Sequence, residues 1–289
     1  MDLAVVVVYE ILYTIAFLAL ISAGLAVVFG MMRVVNLAHG EFILLGGYTA
    51  IVAHNNLGIN LFVSMLVIAP VVVAVFGVVI ERLIVRFLYG RLINTMLATW
   101  GLSLAMIGSF SLIFGTTTTS VKAPIGSISV GAFNISGYNI FIIASAIGVI
   151  ALIFAILRFT RAGLVARGAM QNADMATAFG YDASRIYMAT FAAGAALAGL
   201  AGGILAPLVG IGPNAGSLYI AKAFITVISG GASVVSGLIT SSGFFGFVTQ
   251  IVTFLTNSVI GELGLLVAAI ILLRLLPTGI SGRFFKNRL

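Results

Sequence analysis

Residues 158–185, RFTRAGLVARGAMQNADMATAFGYDASR, form a polar island between two apolar runs that are each long enough to cross a membrane. The island carries Arg158, Arg161, Arg167 and Arg185 against Asp174 and Asp182. Within 170–179, Met175, Ala178 and Phe179 fall at i, i+3 and i+4 and share a helical face, while Asp174 and Thr177 turn away. Gly180 supplies a glycine stop, and Asp182 or Ser184 can cap the helix that enters the next span. A short amphipathic helix held between two spans reads as an interfacial helix or as a dock for a cytoplasmic partner, and docking is the favoured reading.

Composition sets the class of the remainder. The chain is 62% hydrophobic and 7% charged, against roughly 25% charged residues in soluble domains, so it cannot cover a globular surface with polar groups. A helix needs roughly 20 apolar residues to cross the hydrocarbon core. The apolar runs here are that long and do not alternate, which favours helices over a β-barrel. The fold expected is all-α: one polytopic transmembrane domain over 1–289, with about 8–10 spans, some broken or re-entrant.

The spans read as 4–29, 41–54, 61–80, 92–114, 139–157, 186–206, 218–235, 241–255 and 263–276. The first lacks a charged n-region and an A-x-A-like cleavage site, so it is expected to be retained. Nine crossings with the N-terminus outside put Arg33, Arg82, Arg86, Arg91, Arg158, Arg161, Arg167, Arg185, Arg274, Arg283, Lys286 and Arg288 inside, and only Lys122 outside. That asymmetry follows the positive-inside rule and places 158–186 and the C-terminus in the cytoplasm. The same rule accounts for the net charge of +7 without nucleic acid. Two spans invite a break: 41–54 is short, and 218–235 contains Lys222 and ends in a glycine-serine cluster.

Between spans, 116–138 (TTTTSVKAPIGSISVGAFNISGY) is too polar to cross. It reads as an outer connector or small hairpin with Pro124 and Gly126 as turn residues, or as a rim that meets a delivery protein. The run GAALAGLAGG at 194–203 spaces small residues three and four apart, which suits close helix packing or a dimer seam.

Charges at membrane depth need a partner or a function. Glu41 lies in NLAHGEFILLGGY after Asn36, His39 and Gly40, and Lys222 lies in GPNAGSLYIAKAF after Pro213, Asn214 and Gly216. Both segments run from a small or helix-breaking residue through Asn and Gly to a charge, then to a glycine pair at Gly46 and Gly47 or at Gly230 and Gly231. This suggests an internal repeat of broken helices flanking a solute route. Glu41 and Lys222 either contact solute, or stabilise helix ends or neutralise each other. Solute contact predicts that Glu41→Gln or Lys222→Met abolishes uptake while assembly and ATP hydrolysis persist.

No thiol exists for redox or metal chemistry. His39 and His54 have no acidic cluster at ligand spacing, so no metal site is expected. G-x-S-x-G is absent, as is G-x-x-x-x-G-K-[ST]. The chain therefore needs no cofactor of its own, and any ATP that drives it is bound by another chain.

Six blocks carry a resemblance to a known family. They are GLAVVFGMMRVVNLAHGEFILLGGY at 24–48, LATWGLSL at 97–104, RAGLVARGAMQNADMATAFGYD at 161–182, TFAAGAALAGLAGGI at 190–204, KAFITVISGGASVVSG at 222–237 and LPTGISGR at 276–283. Over nearly its whole length the chain resembles the permease subunits of ABC importers for branched-chain amino acids, a family that also includes urea and short-chain amide permeases. NLAHGEF and the Ala-x-x-x-Gly from Ala176 to Gly180 are its specific signatures here. The resemblance implies a type II-like core of two permeases, the second expected to be a paralogue, with two cytoplasmic ATPases and an extracytoplasmic binding protein in the bacterial inner membrane. It also implies that Asp174, Met175, Ala176, Phe179, Gly180, Tyr181 and Asp182 form the coupling helix in the ATPase cleft. Asn36, His39, Glu41, Trp100, Asn214 and Lys222 are the candidates for the solute pathway.

The solute is less defined. Lys222 matches branched-chain amino-acid permeases, whereas Ala98-Thr99-Trp100-Gly101, Gln171-Asn172 and Gly212-Pro213-Asn214 look more like the urea and amide branch. Two other classes compete. A self-contained carrier would relay a proton through Glu41 and His39, and a passive amide or urea channel would fit the glycine-rich packing. Neither has a use for the cytoplasmic helix.

Overall fold

A computed structural model describes residues 2–131, 133–231 and 233–284; Lys286 and Arg288 lie outside the described residues, as do the side chains of Asp174 and Arg283. Among the described residues, seven helices are long and apolar enough to cross a membrane: Asp2–Met32, Leu61–Leu83, Leu92–Phe114, Tyr138–Phe159, Ala183–Val209, Val234–Leu255 and Ser258–Gly282. In chain order the elements are α1 (Asp2–Met32), α2 (His39–Asn55), α3 (Leu61–Val63), which runs through a π-helical stretch at Ser64–Ile68 into α4 (Ala69–Leu83), and α5 (Leu92–Phe114). The β-hairpin β1 (Ser127–Val130) and β2 (Phe133–Ser136) follows, then α6 (Tyr138–Phe159), α7 (Arg161–Gln171) and α8 (Ala173–Ala178). The chain ends in α9 (Ala183–Val209), α10 (Gly216–Gly230), α11 (Val234–Leu255), α12 (Ser258–Leu275) and α13 (Gly279–Phe284).

Two of the nine expected crossings are half-helices, α2 and α10, and both start inside the bundle. His39 at the start of α2 places Nε2 2.9 Å from the carbonyl oxygen of Ile21, in the middle of α1. Beyond it, Tyr48 stacks on Phe114 at the end of α5, so α2 runs toward the hairpin. α10 runs the other way. Its C-cap Gly231 packs against Thr278 and Ser281, on the face that carries residues 158–185.

The two half-helices belong to an inverted repeat, α1–α2–α4–α5 against α9–α10–α11–α12. Their packing is reciprocal: α2 lies on α9 as α10 lies on α1, and α4 lies on α9 as α11 lies on α1. Across the approximate axis α1 meets α9 and α2 meets α10. The repeat expected from the sequence is therefore present, with two changes. Gly46 and Gly47 do not end α2, which continues to Asn55; they are small because a Cβ at Gly46 would lie 2.3 Å from Gly199 O and one at Gly47 2.5 Å from the Ile211 side chain. The span expected at 218–235 stops at Gly230, and α11 starts at Val234 rather than Ser241.

A broken helix leaves backbone groups that lipid cannot satisfy, and each break here is tied to a neighbour. In the first, Thr99 Oγ1 of α5 accepts from the Leu37 N–H (3.1 Å) and Asn36 Oδ1 accepts from the Ala38 N–H (3.0 Å). In the second, Ile211 pairs with Thr119 of the outer segment through backbone bonds of 2.7 and 2.9 Å.

The small-residue run of α9 is an intrachain seam. A Cβ at Gly194 would lie 2.8 Å from Gly24 O, one at Gly202 1.8 Å from Ile43 O and one at Gly203 3.0 Å from Met65 O. The outer segment does form a hairpin, with Ser127 opposite Ser136 and Val130 opposite Phe133. Its turn is at Gly131, with φ of +58°, not at Pro124 and Gly126; Gly126 closes the hairpin base by accepting from the Gly137 N–H (2.9 Å). Asp2 packs against Gly131, and the Tyr9 hydroxyl donates to Ser136 O, so α1 starts on the hairpin face.

Candidate functional site

The polar island folds as expected into short helices outside the spans, each started by a side chain that accepts orphan N–H groups. Thr160 Oγ1 accepts from Gly163 N (3.0 Å) to begin α7, and Asn172 Oδ1 from Met175 N (2.9 Å) to begin α8. Asp182, not Ser184, caps α9, accepting from Ser184 N at 2.9 Å and Arg185 N at 3.4 Å. Its other oxygen pairs with Arg185 Nε at 3.1 Å. α8 ends in a Schellman motif: Gly180, at φ +85°, donates to Thr177 O (2.9 Å), and Tyr181 donates to Ala176 O (3.1 Å).

That stop sets what the helix presents. Met175, Phe179 and Tyr181 are 57%, 77% and 49% exposed, a concentration of apolar surface outside the spans that no segment among the described residues covers. Gly180 and Asp182 are exposed beside them. Ala176 faces the other way and is buried. Asp174 lies in α8. Seven residues expected to act together are thus contiguous, with Ala176 serving as the inward anchor.

Beside this helix lies a feature that sequence reading missed. Glu81, Arg82 and Arg86 from the end of α4 and its following turn, with Ser184, Arg185 and Met188 from α9, line a notch of about 200 Å³. Glu81 is buried and accepts from the Tyr89 hydroxyl. Burial, and then this bond to a carboxylate, push the Tyr89 hydroxyl above the usual tyrosine range, so it stays a donor at all physiological pH. The notch therefore presents three arginines around one occupied carboxylate.

The six pathway candidates separate into groups. Asn36, His39 and Glu41 gather at the start of α2 and are buried. A Cβ at Gly40 would lie 2.0 Å from Gly216 O, so the starts of α2 and α10 cross in backbone contact. Glu41 sits at this crossing with its Oε1 against Gly216. Ser103 is its polar neighbour, but neither carboxylate oxygen has a hydrogen bond of ordinary geometry. Its support is the positive ends of two helices that meet there.

Lys222 does not neutralise Glu41. Its Nζ lies 2.7 Å from Glu262 Oε1 of α12 and 5.9 Å from the centre of the Phe17 ring. Asn214, Ser217, Leu218 and Ala221 are exposed on the same side of α10, so this half-helix presents a partly polar face that ends in an ion pair. Trp100 stands apart, 55% exposed on the outer side of α5; its buried neighbour Thr99 holds the first break.

Comparison with known proteins gives the site its family. A model described as the permease component of branched-chain amino acid transport systems matches residues 7–276. The chain is 28% identical over 287 residues to a probable branched-chain amino acid transport permease protein LivH of Methanocaldococcus jannaschii, covering 93% of this chain and 90% of that one. It is 27% identical to the high-affinity branched-chain amino acid transport system permease proteins LivH of Escherichia coli K12 and BraD of Pseudomonas aeruginosa, over 92% of this chain and 91% of each relative. No solved structure matches. The bundle of spanning helices broken at α2 and α10, and the family match that extends from α1 through α12, make this chain a multi-pass membrane protein of the branched-chain amino acid transport permease family.

Proposed function

We propose that this chain is a permease subunit of an ATP-driven importer and forms half of a pathway for branched-chain amino acids or related small amides. Its partners are a second permease, expected to be a paralogue, two cytoplasmic ATPases and an extracytoplasmic solute-binding protein. The N-terminus and hairpin face outward, and the C-terminus and α7–α8 face the cytoplasm of a bacterial inner membrane. The observation that carries this reading is α8. Its exposed Met175, with Phe179 and Tyr181 just beyond its end, next to a notch rimmed by Arg82, Arg86 and Arg185, forms an apolar knob with a basic surround. That pairing suits a cleft with an apolar floor and acidic rim on an ATPase.

Reconstitution in liposomes tests the reading. The purified chain alone should move no solute under a proton gradient or down a solute gradient. Adding the second permease, ATPases, ATP and the loaded binding protein should produce uptake. Transport by the chain alone under a proton gradient would make it a carrier, and gradient-driven flux alone would make it a channel.

Within this reading, the exposed face of α10 is the pathway wall, because an ion pair facing lipid would be expensive whereas one facing a solvated route is not. Lys222→Met should reduce uptake at least about tenfold, equivalent to about 1.4 kcal/mol, without changing the ATPase rate of the assembled complex. Glu262→Gln should act in the same direction, and the exchange Lys222→Glu with Glu262→Lys should restore part of the loss. Uptake unchanged in both single variants would reduce the pair to a staple between α10 and α12.

A further inference from the structure

A groove of about 760 Å³ opens where α6, α7 and α11 meet near the end of α1, and no residue of the α10 face or of the α8 knob lines it. Ile147, Ala151, Phe154 and Ile239 make its apolar walls, and Arg158 and Arg167 stand at its mouth. The wall residues of α6 recur at helical spacing, so one continuous stripe faces the groove. From Ile147 to Arg158 is eleven residues, about 16 Å along the helix, which matches one leaflet of a hydrocarbon core about 30 Å thick.

The mouth is basic and polar. Neither arginine forms an ion pair among the described residues. Arg167 donates through Nε to Gly163 O at 3.3 Å, and its two terminal nitrogens are not used in that bond. Ser233 and Ser236 of the facing wall are hydrogen-bonded to each other at 2.6 Å. An anionic head beside two guanidinium groups, with acyl chain one leaflet deep, completes this site in both charge and length.

We propose that the groove is a binding site for an anionic phospholipid of the leaflet on the α7–α8 face. The phosphate lies between Arg158 and Arg167, where planar guanidinium groups match phosphate oxygens in pairs. The acyl chain runs along α6 past Phe154 toward Ile147. Basic recesses between spanning helices on this side of a membrane hold anionic head groups by the same physics. A protein helix would fill the apolar wall but leave both arginines needing carboxylates at the interface, so lipid is the better match. The proposal does not rest on the import reading.

The single tryptophan makes the test direct. Trp100 is exposed on α5 and samples surrounding lipid; the Trp100→Phe, Phe154→Trp variant moves the only reporter into the groove. Both chains, in phosphatidylcholine nanodiscs, receive equal mole fractions of brominated phosphatidylglycerol or brominated phosphatidylcholine. Residue 154 should be quenched preferentially by the anionic lipid, by about fivefold for each arginine, while Trp100 shows no preference. Arg158→Gln with Arg167→Gln should remove the preference, and Arg158→Lys with Arg167→Lys should keep most of it. Equal quenching by both lipids, or a preference that survives the glutamine pair, would overturn the proposal. So would a reporter at 154 that no lipid reaches, since the groove would then be covered by protein.

Discussion

Gly40→Ala should leave no folded permease, although it adds a single methyl group. The added carbon would lie 2.0 Å from Gly216 O and 2.6 Å from Gly216 C. Both contacts are backbone, so no rotamer relieves them, and the starts of α2 and α10 must separate. Neither can move freely, because Thr99 ties the chain before α2 and Thr119 ties the chain before α10. Overpacking where side chains can adjust costs about 1–3 kcal/mol, and a main-chain clash at the crossing of a repeat lies above that range. Gly216→Ala should be milder, since its first contact is Glu41 Oε1 at 2.7 Å, the end of a side chain. Gly101→Ala is the control, as nothing lies within 4 Å of its Cβ position. Yield of monodisperse protein and thermal midpoint in detergent should rank Gly101→Ala first, Gly216→Ala next and Gly40→Ala last. A Gly40→Ala protein as stable as the Gly101→Ala one would mean that the crossing does not hold the fold.

The crossing also explains what the sequence shows of this fold and what it conceals. Spans are legible because hydrocarbon admits few solutions to backbone hydrogen bonding. The breaks at α2 and α10 are legible because an Asn and a Gly precede a charge in each, Asn36 and Gly40 before Glu41 and Asn214 and Gly216 before Lys222. Local rules also locate the end of α8 at Gly180 and the start of α9 at Asp182, since both depend only on neighbours in sequence.

Side-chain direction and long-range pairing are different. Thr99 and Trp100 are adjacent, and only the rotation of α5 against the bundle decides that Thr99 serves the break while Trp100 faces out. Lys222 and Glu262 are 40 residues apart, and no spacing rule joins them. Gly46 and Gly47 look like a helix end when read locally, but α9 is the reason they are glycine. Ala176 sits in a motif with Phe179 and Gly180, yet the turn of the helix points it inward. In each case the missing information is which neighbour occupies a face.

The inverted repeat connects these observations to mechanism. Two half-helices that meet end to end, each carried on a long partner from the other repeat, can shift only together, because α2 rides on α9 and α10 rides on α1. α9 is also the helix that Asp182 starts, immediately after the loop proposed for coupling. Displacement of α8 by a closing ATPase would therefore reach α2 through the part of the 27-residue α9 that precedes its internal Pro207, where Gly199 and Gly202 meet α2, and α10 through the Gly40–Gly216 contact. Between the knob and the crossing the proposed coupling path is helical except for the loop 179–182.

That loop carries the second large prediction. Gly180→Val should uncouple uptake from ATP hydrolysis while the permease still assembles. Gly180 adopts φ of +85°, where a β-branched residue is a steric outlier, and the left-handed region costs a non-glycine residue about 1–2 kcal/mol. By the usual conversion that depletes the Schellman conformer about five- to thirtyfold, and uptake should fall by a similar factor. The spans should be unaffected, because the loop is exposed and nothing among the described residues lies within 4 Å of the Gly180 Cβ position. Gly180→Asn separates conformation from space: asparagine tolerates the left-handed region but adds the bulk that valine adds. Uptake by the asparagine variant near the wild-type level would show that the loop needs only its turn. If asparagine and valine are equally inactive and both complexes hydrolyse ATP, the glycine is required because a partner's surface closes against it. Should the valine variant transport normally, the α8 stop has no part in coupling, and the path from knob to crossing must begin elsewhere.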